Sequence, residues 1–260
     1  CFTKIKITTV ERLMKIAVVT GASSGIGLSI ALELRKAGYL AVNWDLQPSS
    51  QTDADIPFIA CDVSSEERVA LALKQTHERF GKVSVLVNNC GLQFMSPLID
   101  FPKQKWDQLI GVMLTGTFLC TRSCLKDMIE LNGGRIINIS SVHGKLASPF
   151  KSAYVAAKHG VLGFAKVAAI EAAQYGVTVN TICPGFVDTP LMRKQVSSQM
   201  ELNQLSDEEV MKKIFLKDQH IKQLTSPEQV SQFVVFLCSE AASTITGEAF
   251  NISGGWGMGL

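Results

Sequence analysis

Residues 15–38 read KIAVVTGASSGIGLSIALELRKAG, and this stretch decides the fold. KIAVVT (15–20) is rich in β-branched residues and runs into a glycine turn, as a buried strand does. GLSIALELRKAG (27–38) carries apolar residues at helical spacing and stops at Gly38. Thr20-Gly21-Ala22-Ser23-Ser24-Gly25-Ile26-Gly27 joins the two. Gly21 permits a tight turn, Gly25 lets a pyrophosphate approach the backbone, and Gly27 lets the helix sit close on the strand. Free backbone N–H groups of the turn, those of Ser23, Ser24 and Ile26 among them, would then receive the anion. Three glycines at this spacing arise readily by chance. Their place at the first strand–helix junction is what gives them weight.

The alternation continues outward. YLAVNW (39–44), PFIACDV (57–63), VSVLVNN (83–89), GRIINISS (134–141), VTVNTICP (177–184) and EAFNIS (248–253) read as further strands. Helical signals fall between them at 64–81, at 106–131 and from about Ser152 to Tyr175. This order predicts an α/β fold, a single Rossmann-type doubly wound parallel sheet with helices on both faces, over residues 14–260. From Leu191 to about Thr225 the rhythm breaks into polar, Gln-rich, amphipathic sequence. That segment predicts a small helical substrate lid across the C-terminal edge of the sheet, with a plain surface excursion as the other reading. Residues 1–13 read as a leader or N-terminal extension.

With 260 residues, 47% hydrophobic and 18% charged, the chain can bury a large core and is too apolar for disorder. A formal charge of +2 without any Lys/Arg cluster argues against nucleic-acid binding. No apolar run approaches the ~18–20 residues of a membrane span, which argues against a membrane partner. Seven cysteines without a CxxC pair fit a reduced, cytoplasmic protein. Cys120 and Cys124 share one helix face but lack further ligands, so they read as core residues and no metal is expected.

Asp45 ends the second predicted strand. A carboxylate there can accept both adenosine ribose hydroxyls of NAD and repels a 2′-phosphate, and no Lys or Arg follows it to receive one. Asp62-Val63 ends the third strand, near the adenine edge, and Asn88-Asn89-Cys90-Gly91 ends the fourth, beside the adenosine ribose. Tyr154 and Lys158 stand four residues apart on a predicted helix, about one turn or ~6 Å. An ammonium there stabilises phenolate and lowers a phenol pKa that is ordinarily near ~10. Ser141, at the end of the fifth strand, could hydrogen-bond a substrate oxygen.

TGASSGIG, NNCG, INISS, YVAAK and CPGFVDTP stand in the order and spacing of the short-chain dehydrogenase/reductase family, which the chain resembles over about residues 15–257. The resemblance implies NAD(P)-dependent interconversion of alcohols and carbonyls by hydride transfer. It implies that Ser141 positions the substrate, Tyr154 transfers the proton, and Lys158 also binds the nicotinamide ribose. Pro184, Gly185 and Thr189 would contact the nicotinamide end, with Val187 close to its carboxamide. Members commonly form tetramers through their long helices, here 106–131 and 152–175, and the apolar GGWGMGL end suggests a partner surface. One departure stands out: the family's usual catalytic Asn, which supports a helix distortion and a water leading from the lysine to solvent, falls at Met113. Met offers only a weak acceptor and no donor.

Lys151 shares a helix face with Tyr154 and Lys158 at ~100° per residue, leaving it as a spare cation beside the substrate position. With His143 and Gln93 it could hold a small carboxylate, although a solvated lysine and a loop histidine are the plainer readings. Within the family, residues 91–260 resemble the bacterial D-3-hydroxybutyrate dehydrogenases, in GLQ, SSVHG, the YVAAK helix, ICPGFVDTPL and SGGW. That resemblance implies substrate contacts from Gln93, Ser141, His143, Lys151, Tyr154 and Gln195, and an aromatic wall from Trp256 near the substrate methyl. The stretch 45–62 is shorter than usual in that group, and Asp45 departs from the more neutral residue of some members. The leading expectation is reversible oxidation of (R)-3-hydroxybutyrate to acetoacetate, a step of ketone-body metabolism. A dehydrogenase of a neutral ketone or sugar alcohol, and a catalytically weak NAD-binding protein carrying Met113, are the alternatives.

Overall fold

A computed structural model describes residues 14–50 and 56–259. Seven parallel strands form one sheet in the order β3-β2-β1-β4-β5-β6-β7. They are β1 (Ile16–Thr20), β2 (Leu40–Asp45), β3 (Phe58–Ala60), β4 (Val83–Asn88), β5 (Gly134–Ile139), β6 (Val177–Pro184) and β7 (Ala249–Ile252). The helices are α1 (Gly25–Lys36), α2 (Glu66–Arg79), α3 (Lys103–Ile110), α4 (Gly116–Glu130), α5 (Ser152–Ala172), α6 (Pro190–Asn203), α7 (Asp207–Val210) and α8 (Pro227–Cys238). The predicted doubly wound sheet is the observed one.

Strand β1 shows why both faces must be covered. Ile16 and Val18 enter one core with Val69 of α2, Cys120 and Cys124 of α4 and Ala168 of α5. Ala17 and Val19 enter the opposite core with Ile30 and Leu34 of α1 and Val230 and Val234 of α8. Successive side chains of a strand point to opposite faces, so an all-apolar strand needs a helix layer on each side.

Several predicted boundaries move. Strand β3 is only three residues long, because it is an edge strand that pairs with β2 alone. Helix α8 was not read from the sequence, although Ser226 and Gln229 form a capping box ahead of it and Pro227 opens its first turn. Helices α3 and α4 form one rod, Lys103–Glu130, which by length and composition is apolar enough for a membrane span. Its apolar residues Leu119, Cys120, Cys124 and Met128 pack into the core beneath the sheet, which accounts for that composition.

The chain between β6 and α8, where the lid is predicted, holds α6, α7 and a π-turn at Met211–Phe215. Its two ends meet in a parallel bridge, Val187 with Thr225, where Asp188 N donates to the Thr225 carbonyl and Thr225 N to the Phe186 carbonyl. Met192, Val196, Val210 and Phe215 give it a small apolar core of its own.

The tightest packing joins α1 to β1. A Cβ on Gly27 would stand 2.2 Å from the Gly21 carbonyl oxygen and 2.5 Å from Asn89 Nδ2. Backbone cannot yield as a side chain can, so Gly27→Ala is expected to cost about 3 kcal/mol, at the upper end for overpacking. Urea unfolding of the variant beside the wild type measures this.

Candidate active site

The Gly-rich turn is shaped by positive φ at Gly21 (+69°) and Gly25 (+55°), where a side chain would be strained. Gly21 N donates to the Trp44 carbonyl of β2. Asn89 Nδ2 donates to the carbonyls of Thr20 and Gly21, both at 3.1 Å, and its own N–H donates to Thr20 Oγ1 at 2.9 Å. The ends of β1, β2 and β4 are thereby fixed relative to one another.

Beyond these ends lies a cleft of about 810 Å³, within the ~300–1,000 Å³ range of cofactor-sized sites. Gly21, Ser24, Gly25, Ile26, Asp45, Asp62, Val63, Asn89, Gly91 and Thr189 of the predicted cofactor set line it. Ser23 and Gly27 do not. Ser23 turns toward β2, its N–H donating to Asp45 Oδ2 at 3.1 Å and its hydroxyl to the Gln47 carbonyl. Gly27 is buried against Gly21, a packing position. Lys158 is the one cation lining the cleft among the described residues, whereas Asp45, Asp62 and Asp107 all do so. Asp62 also caps its own turn, accepting from Ser64 N at 2.9 Å and Ser64 Oγ at 2.6 Å.

A second cavity of about 130 Å³ adjoins the first, and Tyr154, Gln93, Thr189 and Gln195 line both. Ser141, His143, Lys151 and Trp256 line it as well, together with Pro184, Gly185 and Val187 from the end of β6. The substrate residues predicted from separate segments of the chain therefore meet in one place. Among the described residues no His/Cys/Asp/Glu cluster could hold a metal.

Burial sets the electrostatics here. Lys158 is 4% exposed, donates from Nζ to the Ile139 carbonyl at 2.8 Å, and lies 5.7 Å from the Tyr154 ring centre. Burial pulls its pKa down to about 8. The Tyr154 phenol is pushed up, chiefly by burial, while the Ser141 hydroxyl within hydrogen-bonding reach pulls it down. The sequence expectation of a lowered phenol is thus reversed in the protein alone, because desolvation of the phenolate outweighs the Ser141 hydrogen bond. Lys151 is also pulled down by burial. It follows Phe150, which holds a left-handed φ of +66° that a bulky side chain rarely adopts; the Phe150 carbonyl accepts from Ser96 N at 3.0 Å.

His143 is 4% exposed, with Nδ1 3.4 Å from Ser141 Oγ. Its Nε2 is buried with no hydrogen-bond partner among the described residues. Around it stands an aromatic wall that the sequence reading saw only in part. His143 meets Trp256 edge-on at 5.2 Å, Trp256 stacks on Phe186 at 5.3 Å, and Phe186 meets Phe215 of the π-turn after α7 at 5.0 Å. Phe186 was missed although it lies between Gly185 and Val187, both already singled out.

Met113 sits at the middle of a π-turn, Gly111–Thr115, between α3 and α4. The helix distortion is therefore present with Met in the Asn position. Met113 is 1% exposed among Leu109, Ala153 and Ala157, with Tyr154 packed against them. Its carbonyl accepts from Thr117 Oγ1 at 2.8 Å, so back-bonding from the next turn, not a side-chain amide, satisfies this group.

Comparison with known proteins agrees with this geometry. A family profile described as short chain dehydrogenase matches residues 15–200. The D-beta-hydroxybutyrate dehydrogenase of Rhizobium meliloti is 40% identical over 255 residues, covering 94% of this chain and 99% of the relative. The 3-oxoacyl-[acyl-carrier-protein] reductase of Synechocystis is 36% identical, covering 94% of this chain and 97% of the relative. Among solved structures, an actinorhodin polyketide ketoreductase variant with NADPH superposes with a TM-score of 0.87 at 33% identity, covering 94% of this chain and 98% of that one.

The His143 imidazole is pushed down from 6.5 to about 4 by burial, with the Lys151 and His159 charges adding to it. Between these values the unfolded chain binds a proton that the folded chain does not, so stability falls as pH falls through that window. Going from pH 7 to pH 4.5 is expected to cost about 2 kcal/mol through this group. The difference between wild type and His143→Gln in urea unfolding at the two pH values isolates it.

Proposed function

The chain belongs to the short-chain dehydrogenase family of oxidoreductases, and from that premise we propose that it oxidises (R)-3-hydroxybutyrate to acetoacetate reversibly with NAD+. The observation that carries the proposal is the shared cavity: Gln93, His143, Lys151 and Gln195 line the same small space as Ser141 and Tyr154. An ammonium, an imidazole and two amides in so small a space suit a carboxylate on a short chain. The aromatic wall of Trp256 and Phe186 suits the apolar remainder of such an acid.

The residues present fit a nicotinamide dinucleotide. Gly25 is held in left-handed backbone within the cleft, and Thr189 would meet an added Cβ there at 3.5 Å. When bound, the oxidised cofactor supplies the hydride acceptor and a positive charge near the phenol. Tyr154 then takes the hydroxyl proton as the C–H electron pair leaves, Ser141 steadies the oxygen, and Lys158 stabilises phenolate. Asp45 among acidic neighbours, with no cation at that end of the cleft among the described residues, favours NAD over NADP. Exposed Phe118, Val167 and Ile170 on α4 and α5 support assembly as a homotetramer.

Steady-state assays with short hydroxy acids beside neutral alcohols test the proposal. Lys151→Ala is expected to raise KM for 3-hydroxybutyrate about 100-fold, the worth of one charge-assisted hydrogen bond, with little effect on neutral alcohols. An unchanged KM would remove Lys151 as the anchor and favour the neutral-substrate reading. NADH binding without turnover of any substrate would mark a silent dinucleotide-binding protein.

Met113→Asn is expected to raise kcat more than it changes NAD affinity, because it puts a polar group into the apolar cluster against which Tyr154 packs. Turnover and cofactor titration on the one variant separate the two effects.

A further inference from the structure

One buried polar residue close to the cofactor turn plays no part in the reaction described above. Asn43 lies on β2 opposite Val19 of β1 and is 2% exposed. Its Oδ1 accepts the Ala22 N–H at 3.0 Å, and its Nδ2 donates to Ser23 Oγ at 2.9 Å. Both bonds go to the Gly-rich turn. The Ser23 hydroxyl passes its own proton to the Gln47 carbonyl, and the Ser23 N–H donates to Asp45 Oδ2 at 3.1 Å. The other carboxylate oxygen, Oδ1, accepts Leu46 N–H at 2.7 Å.

We propose that Asn43 is a positioning residue for cofactor discrimination: through Ser23 it aims the Asp45 carboxylate into the cleft and keeps the Ser23 hydroxyl from donating to a 2′-phosphate. This deepens the NAD preference proposed above and rests on it. A buried amide in a strand core is unfavourable unless its donors and acceptors are paired, and Val would suit the strand better. Both ends of Asn43 are paired, and the partners are consecutive residues of the phosphate-binding turn. Serine has a single hydroxyl proton. With that proton on Gln47 and a lone pair taken by Asn43, Ser23 Oγ has nothing to donate to an added phosphate. Each Asp45 oxygen keeps a lone pair after its backbone bond, enough to accept the two ribose hydroxyls.

Fluorescence titration of NADH and NADPH against the full chain tests this with wild type, Asn43→Val, Asp45→Ala and the double variant. Asn43→Val is expected to weaken NADH about tenfold and NADPH less than about threefold, as for one lost hydrogen bond. In the Asp45→Ala background the same substitution should lose most of its effect on NADH. Equal weakening of both cofactors, or additive effects in the double variant, would mean that Asn43 only satisfies the strand, and would overturn the proposal. If Asn43→Val does not fold, Ser23→Ala replaces it in the cycle, with an expected shift of about threefold toward NADPH; an unmoved ratio overturns the proposal. A wild-type preference for NADPH overturns the NAD reading and the exclusion of the 2′-phosphate with it. The cycle still reads the hold of Asn43 on Asp45, whichever cofactor is preferred.

Discussion

Helix α1 rests so close to β1 that the Gly21 carbonyl oxygen lies 2.2 Å from where a Cβ on Gly27 would stand. That approach sets the position of the helix N-terminus, and with it the direction in which the free N–H groups of the turn point. The sheet beneath is sealed on both faces, with Ile16 and Val18 in one core and Ala17 and Val19 in the other. Polar chemistry can then lie only beyond the strand ends. Asn89, Thr20, Asn43 and Asp45 complete the arrangement by tying the ends of β1, β2 and β4 into one rigid edge.

The same burial governs the reacting groups. Lys158, Lys151 and His143 are all shifted away from their charged forms, and so is the Tyr154 phenol. A charge introduced into this cavity by substrate or cofactor therefore meets groups whose desolvation has already been met by folding. Met113 adds to that apolar setting, packed with Leu109, Ala153 and Ala157 behind Tyr154. Its carbonyl, paired with Thr117, leaves the π-turn intact without a side-chain amide.

The strands and the Gly turn were legible because their signals are local. Alternation between buried faces, a glycine needing positive φ, and a Tyr–Lys spacing of one helical turn all act within a few residues. Helix α8 escaped notice because QFVVFLC is a short apolar run that reads equally as strand or helix; only the Ser226–Gln229 capping box separates them. The edge strand β3 shrank for a different reason, having a partner on one side only.

By itself the sequence determined the parallel sheet, the place of the glycine turn, and the one-turn spacing of Tyr154 and Lys158, because each depends on short-range geometry; Ser141 joined them through the family resemblance. Only the tertiary structure decided that Gln93, His143, Lys151 and Gln195 line a common cavity and that Phe186 stacks on Trp256. It alone turned Ser23 toward Asn43, and it reversed the direction of the Tyr154 pKa. These outcomes depend on contacts between segments far apart in the chain and on the water those contacts exclude. Neither leaves a periodic mark in the residues themselves.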